Sequence, residues 1–164
     1  MSMKEALVVG VLVLLAAAGG AWLFVKGSPF AHTEAPAAVS FALLTKGDQS
    51  GEVPPAVNYR VTNTDELAML WTMLGRTDAM PEVDFTMSEV LAVFDEERPS
   101  AGYAVEVVSV SDANDTRTVT IRHLLPGESC TNAQMLTKPY VLITVPKTTL
   151  PLTHARESVT VPCE

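Results

Sequence analysis

The sequence lacks the short motifs that mark most catalytic, nucleotide-binding and metal-binding sites. It contains no G-x-S-x-G nucleophile elbow, no H-E-x-x-H zinc motif, no phosphate-cradling glycine loop and no C-x-x-C pair. The acidic run "DEER" at residues 95–98 could suggest paired carboxylates, but charged runs at β-turns are usually solvated corners. We therefore expect that the protein is not an enzyme and that it holds no metal and no cofactor.

Basic residues are also scarce. The chain has 19 Asp and Glu against 11 Lys and Arg, and its formal net charge is −8. Surfaces that bind nucleic acid or anionic lipid need a basic patch, which this composition does not supply. No residue pattern points to a small-molecule ligand either. Nucleic acids and small molecules are therefore not expected among the partners.

One long stretch has no charge at all: residues 6–25 read "ALVVGVLVLLAAAGGAWLFV". As a helix, this stretch would span roughly 30 Å, the thickness of the hydrocarbon core of a bilayer. Because the apolar run continues through aromatic residues to Lys26, we predict that residues 1–26 form an N-terminal transmembrane anchor. The alternative is a cleaved signal sequence, with the small residues 16–18 at the cleavage site. No cysteine lies near the end of the run, which excludes lipid attachment through cysteine.

Both interpretations export the rest of the chain. Residues 27–38 mix Pro, Gly, Ser and Ala without a period, which predicts a linker. Residues 39–164 then form the main domain, tethered to the membrane and located in the periplasm or on the cell surface. Its two cysteines are Cys130 and Cys163. In an exported domain they are predicted to form a disulfide that holds the C-terminal tail as an edge strand; the alternative is two unpaired thiols.

Most of the main domain shows the apolar patterns of β-strands. The predicted strands cover residues 39–47, 57–61, 89–94, 103–111, 117–124 and 138–147. The segment 89–94 is apolar almost throughout, which indicates a central strand buried on both faces. A break in alternation predicts a bulge near Val108 and Ser109, and the polar residues 112–116 indicate a hairpin turn. His123 is expected to be a hydrogen-bonded histidine of the core or its rim, and not a catalytic one.

One helix interrupts the strands. Asn63 or Thr64 can cap its start, and Gly75 suits its end. Four apolar residues share one face of it at helical spacing, namely Leu67, Leu70, Trp71 and Leu74. Trp71 is therefore expected to pack in the core. The predicted fold is mainly β, of the α+β class: a small antiparallel β-sandwich or barrel-like domain with one packed helix, behind the N-terminal anchor.

The stretch "ERPSAGYAV" at residues 97–105 combines proline and glycine in a way that is typical of a tight turn. Pro99 fixes its own φ and Gly102 permits a positive one, so the turn is predicted to lead into a strand that opens at Tyr103. Arg98 and Ser100 have no visible role in the core. Their side chains are therefore expected at the surface of a protruding turn. Plain solvent exposure is one interpretation, and our hypothesis is that they form part of a partner site.

Four segments, "ELAMLWTML", "PEVDFTMSEVLAVF", "RPSAGYAVEVVSV" and "TKPYVLITVPK", resemble in order and spacing the PrcB-like C-terminal domain family of bacterial envelope proteins. The resemblance covers residues 66–147, and its most specific parts are an R-P-x-x-G-Y turn and a T-x-P-Y start of a later strand. It implies a small, largely β, non-catalytic module behind a signal or lipid anchor. The protein after which the family is named is an accessory subunit of a cell-surface protease complex. Ala101 departs from the pattern, because the family commonly has glycine there.

Two functions follow from these features. The first is a membrane-tethered module that binds or stabilises an envelope partner, with a protease complex as one candidate. Its predicted partner-binding residues are Arg98, Pro99, Ser100, Ala101 and Gly102. The alternative is a peptidase inhibitor that inserts the Pro99–Gly102 turn into an active-site cleft, where a rigid loop loses little entropy on binding. That turn is similar to one loop of the chagasin-like inhibitors of cysteine peptidases.

Overall fold

A computed structural model describes residues 35–163 of the chain. These residues form eight strands and one helix: β1 (Ala37–Val39), β2 (Ala42–Gly47), β3 (Asn58–Val61), α1 (Thr64–Met73), β4 (Ser88–Phe94), β5 (Ala104–Ala113), β6 (Thr116–Pro126), β7 (Tyr140–Pro146) and β8 (Leu152–Val161). Within the described residues, no helix is long and apolar enough to cross a membrane. The predicted anchor at 1–26 lies outside the described residues, as does most of the predicted linker.

The strands form two four-stranded sheets, ordered β1-β5-β6-β8 and β2-β7-β4-β3. Neighbouring strands are antiparallel except for β6 and β8, which run parallel. The prediction of a mainly β fold with one helix is therefore confirmed, and the expectation of a wholly antiparallel sandwich is wrong at this pair. The reason is that the chain leaves β7 in one sheet and joins the other at the start of β6, where Arg117 N donates to Pro151 O (2.9 Å).

The β2-β7-β4-β3 sheet is the middle layer of the domain. One of its faces packs against α1 through a cluster that includes Leu67, Trp71 and Phe94. The other face packs against the second sheet through a cluster that includes Val93 and Ile121. Strands β4 and β7 are consequently buried on both faces, which confirms the prediction for residues 89–94.

The helix has the start and end that the sequence predicted. The side chain of Asn63 accepts a hydrogen bond from Glu66 N (2.9 Å), and the Glu66 carboxylate accepts one from Thr62 N (2.7 Å). The second bond is the main cause of a lowered pKa for Glu66. Gly75, with φ of 67°, ends the helix. Trp71 is buried, and its indole N–H donates to Asp78 O (3.1 Å).

The predicted first strand at residues 39–47 is in fact two strands. β1 pairs with β5 in one sheet, and β2 pairs with β7 in the other. The chain crosses between the sheets at residues 40–41, and an apolar run gives no sign of such a crossing. The predicted bulge is confirmed by a register shift between Val107 and Ser109, and the predicted hairpin turn by positive φ at Asn114 and Asp115.

Cys130 and Cys163 are bonded, with their Cα atoms 5.3 Å apart, so the predicted disulfide is confirmed. The bond fixes the end of β8, which is the edge strand expected for the tail. Gly127 N, just after β6, donates to Val161 O (3.0 Å), which also holds the end of β8 beside the end of β6. For a sequence separation of 33 residues, the chain-entropy model gives a contribution of about 3–4 kcal/mol.

A buried ion cluster links the two sheets. Glu89 of β4 is 1% exposed and accepts from Arg60 Nε of β3 at 2.8 Å. Arg117, on β6 of the other sheet, places a guanidinium nitrogen 3.5 Å from the same carboxylate. Arg117 also donates to Pro146 O (2.6 Å), and Arg60 donates to Leu150 O (3.0 Å). One carboxylate thus connects both sheets to the segment between β7 and β8.

Arg117 has a second carboxylate partner in Asp112 of β5. Its Nε and a terminal nitrogen each donate to one Asp112 oxygen, both at 2.8 Å. These hydrogen bonds hold the pKa of Asp112 below its usual value. The ionised Asp112 carboxylate therefore stabilises the fold at pH values above the usual carboxyl pKa. This contribution is lost as the pH falls through the lowered pKa of the folded state.

We predict that Glu89→Gln lowers the free energy of unfolding by about 3–5 kcal/mol, because it leaves the Arg60 guanidinium without a carboxylate partner and removes one of the two carboxylates beside Arg117. Urea unfolding at neutral pH measures the change. Glu157→Gln is the matched control, because Glu157 pairs with Arg122 while 42% exposed; this change should cost about 1 kcal/mol or less. Equal costs for the two variants would contradict a structural role for the cluster.

Candidate functional site

The candidate site is centred on the 98–103 turn, which connects β4 to β5. Arg98 N donates to Thr137 O (2.8 Å), and Thr137 N donates back to Arg98 O (2.9 Å). The Thr137 hydroxyl donates to Ser100 O (3.0 Å), and Ala101 N donates to Ala133 O (3.0 Å). The turn therefore lies on the segment that leads into β7. The R-P-x-x-G-Y turn and the T-x-P-Y strand start, far apart in sequence, are hydrogen-bonded to each other.

The Arg98 side chain fixes the turn from the other side. It donates to both oxygens of Asp95 (2.9 and 3.0 Å), contacts Glu96 at 2.8 Å and lies over the Tyr103 ring at 5.1 Å. Its side chain is 17% exposed, and that of Asp95 is 3% exposed. The expectation that Arg98 has no role in the core is therefore wrong. Its side-chain partners lie within five residues of it, but they reach it only through the geometry of the turn.

Fewer residues of the turn are exposed than the sequence indicated. Pro99 and Gly102 are exposed, whereas Ser100 and Ala101 are half-buried. Gly102 has φ of 93°, a conformation that favours glycine, and a Cβ there would also displace the Asn132 amide, whose Oδ1 it would meet at 2.8 Å. All five predicted partner-binding residues lie in this one turn, and their partner-binding role stays a prediction.

Asp95 also lies beside His123, which projects from β6. The Nδ1 atom of His123 is 3.0 Å from Asp95 Oδ1, yet it has no aligned hydrogen-bond partner and is buried. His123 is thus a histidine of the core rim, as predicted, but the hydrogen bond expected for it is missing. A short polar approach of this kind stabilises less than an aligned bond.

An open cavity of about 330 Å³ adjoins this cluster. Asp95, Glu96 and Arg98 line it from one side, His123 from β6, and Arg156 and Ser158 from β8. Sequence reasoning missed this arrangement, because it forms only when the two sheets pack, and no local motif signals it. Within residues 35–163, no three His, Cys, Asp or Glu side chains are grouped to hold a metal ion.

We predict that Arg98→Ala lowers the free energy of unfolding by about 3 kcal/mol or more, because the buried Asp95 loses its bidentate partner. Thermal and urea unfolding followed by circular dichroism measure the loss. Arg122→Ala is the matched control: Arg122 also contacts two carboxylates, Glu106 and Glu157, but on the exposed sheet surface. It should cost about 1 kcal/mol or less. An Arg98 variant as stable as the control would show that the turn does not need this pair.

Comparison with known families agrees with the geometry. Residues 90–146 match the family model described as PrcB C-terminal. The matched segment runs from β4 to the end of β7 and contains both the 98–103 turn and its partner Thr137. No curated protein and no solved structure gives a significant match to the chain. Over residues 90–146 the chain matches the PrcB C-terminal family, and the resemblance predicted from its sequence is confirmed for that segment.

Proposed function

We propose that this protein is a non-catalytic, membrane-tethered module outside the cytoplasm that binds and stabilises a partner in the bacterial envelope, and that the partner belongs to a protease complex. The observation that carries the proposal is the family match at residues 90–146. That match includes the whole 98–103 turn, whose backbone and side chains are held in place from two sides.

The rigidity of the turn supports binding to a protein surface. Pro99 and Gly102 are exposed on a backbone that Thr137 and Ala133 already fix. A contact surface ordered before binding loses little conformational entropy when the partner docks. Glu96 and Glu97 beside the turn contact Arg98 and Lys138, respectively, but their side chains are 64% and 46% exposed and can still face a basic patch on the partner.

Two features support a location outside the cytoplasm. The uncharged run at residues 6–25 is long enough to span a bilayer as a helix. The Cys130–Cys163 disulfide is typical of oxidising compartments, since thiols in the cytosol are kept reduced. The tether would hold the binding module close to partners in or on the same membrane.

The inhibitor alternative has less support in the geometry. A loop that enters an active-site cleft has to protrude, whereas Ser100 and Ala101 at the centre of this turn are half-buried. Ser100 O accepts from Thr137 and Ala101 N donates to Ala133 O, so these two backbone groups are not free to pair with a peptidase. The docking of an exposed turn edge on a partner fits these contacts better.

We expect the full-length chain to remain in the membrane fraction after carbonate washing, with residues 31–164 accessible to protease added from outside. The uncharged run is too apolar to leave the bilayer when peripheral proteins are stripped. Fractionation and N-terminal mapping measure this. A mature N-terminus after Ala18 or Ala21, on a protein found in the soluble fraction, would show that the run is a cleaved signal.

The partner site is tested with surface changes that leave Arg98 in place. We predict that Glu97→Arg combined with Pro99→Ser abolishes recovery of the envelope partner from cross-linked cells, with the thermal midpoint changed by only a few degrees. The control Glu82→Arg makes the same charge change on an exposed side chain outside the matched segment. Equal recovery with both variants and the wild type would place the partner surface elsewhere.

A further inference from the structure

The two sheets have four edge strands, and β8 differs from the other three. β1 has three residues, β3 has four, and β2 has six with a register irregularity between Leu43 and Thr45. Short or irregular edges of this kind prevent unwanted pairing. β8 has ten residues, contains no proline and pairs with β6 in unbroken register. It is thus the one long, regular edge in the described part of the chain.

The hydrogen bonds at the two ends of β8 show which of its backbone groups are free. Pro151 O and Val161 O both accept from the β6 side, so the odd-numbered residues of β8 face β6. The even-numbered residues, including Arg156 and Ser158, therefore direct their N–H and C=O groups toward the open edge. All ten side chains of β8 are exposed. The strand presents a ready row of donors and acceptors.

A groove lies between β8 and the edge strand of the other sheet, β3. This β3–β8 groove has a volume of about 460 Å³. Its floor is apolar and comes from Leu91, Val93, Val119 and Ile121. Leu152, His154 and Arg156 line it from β8. A strand added to β8 would direct every second side chain into this groove.

Arg156 gives the groove a charge preference. The other described arginines, at positions 60, 76, 98, 117 and 122, each contact a carboxylate. Arg156 contacts none among residues 35–163, although it also lines the cavity beside Asp95 and Glu96. A guanidinium with free donors beside an apolar floor suits one Asp or Glu flanked by apolar residues.

We propose that β8 binds an extended segment of the partner protein by β-strand addition, with apolar side chains of that segment in the β3–β8 groove and one carboxylate on Arg156. This inference rests on the proposed binding function and names a second surface for it. The disulfide at Cys163 and the Arg60 bond to Leu150 O hold both ends of the strand in place before binding.

The test uses the full-length chain in mild detergent and a fluorescent ten-residue peptide of alternating valine and threonine, with lysine ends and one central glutamate. A second peptide has glutamine in place of the glutamate. Anisotropy measures both affinities. We expect the glutamate peptide to bind the wild type roughly fivefold to tenfold more tightly than the glutamine peptide, and Arg156→Ala to remove this difference.

Ser158→Pro tests the backbone contribution. The proline removes an N–H that points to the open edge, so pairing with β6 is kept while strand addition is blocked. It should abolish binding of both peptides, whereas the matched control Ser158→Ala should bind like the wild type. Unfolding curves for both variants establish that the fold is retained.

Several results would overturn the proposal. One is peptide binding to Ser158→Pro at wild-type affinity, and another is no binding of either peptide to the wild type. An inward-facing charge also discourages edge pairing. If Arg156→Ala binds the glutamine peptide more tightly than the wild type does, Arg156 prevents strand addition at β8 and does not recruit a carboxylate. A dimer that Ser158→Pro dissociates would make a second copy of this chain the occupant.

A parallel measurement distinguishes this inference from the proposed function. The envelope partner is cross-linked in cells that express either the wild type or Ser158→Pro. If the wild type recovers the partner and Ser158→Pro does not, the result supports both the binding function and the role of β8. Equal recovery with the two overturns the role of β8 and leaves the binding function standing, whereas no recovery with the wild type removes the binding function itself.

Discussion

The Glu89 carboxylate, enclosed between two arginines, is the contact on which the arrangement of both sheets depends. Arg60 comes from a strand beside it, and Arg117 comes from the opposite sheet. A buried ion pair contributes less to stability than its Coulomb energy suggests, because three charged groups have lost water. Here the arginines also donate to carbonyls at Pro146 and Leu150. The cluster therefore fixes where the chain leaves one sheet and enters the other.

That crossing determines the shape of the surface available to partners. Because β8 enters beside the start of β6, it runs parallel to β6 and becomes an edge strand. Its start is positioned by the Glu89 cluster and its end by the Cys130–Cys163 bond, so its free backbone groups are held without any covering strand. The β3–β8 groove follows from the same geometry, since β3 is the edge of the other sheet. A buried charge and a disulfide thus hold an exposed edge strand and its groove in place.

The sequence predicted the features that neighbouring residues decide. The helix with its Asn63 cap, the central strand β4, the bulge after Val107 and the turn at Asn114 all follow from local patterns. The disulfide followed from the expected compartment and from there being two cysteines. The parallel placement of β8, the division of residues 39–47 between two sheets and the partners of Arg98 were missed. The first two depend on pairing between segments distant in sequence, which periodicity does not encode. The side-chain partners of Arg98 lie within five residues of it, but they meet only through the geometry of the turn.

The contacts of Arg98 and Thr137 give a physical reason for the motifs of the family match. Its two most specific motifs meet where Arg98 and Thr137 exchange backbone hydrogen bonds, and the Arg98 side chain neutralises the buried Asp95. The residues that carry the resemblance therefore build the turn, and within its motif Pro99 and Gly102 remain exposed. Strand β8 lies beyond residues 90–146, as does the far wall of its groove on β3. If the proposed function holds, the matched segment supplies the frame together with exposed positions such as Glu97, and β8 adds a surface that the family match does not cover.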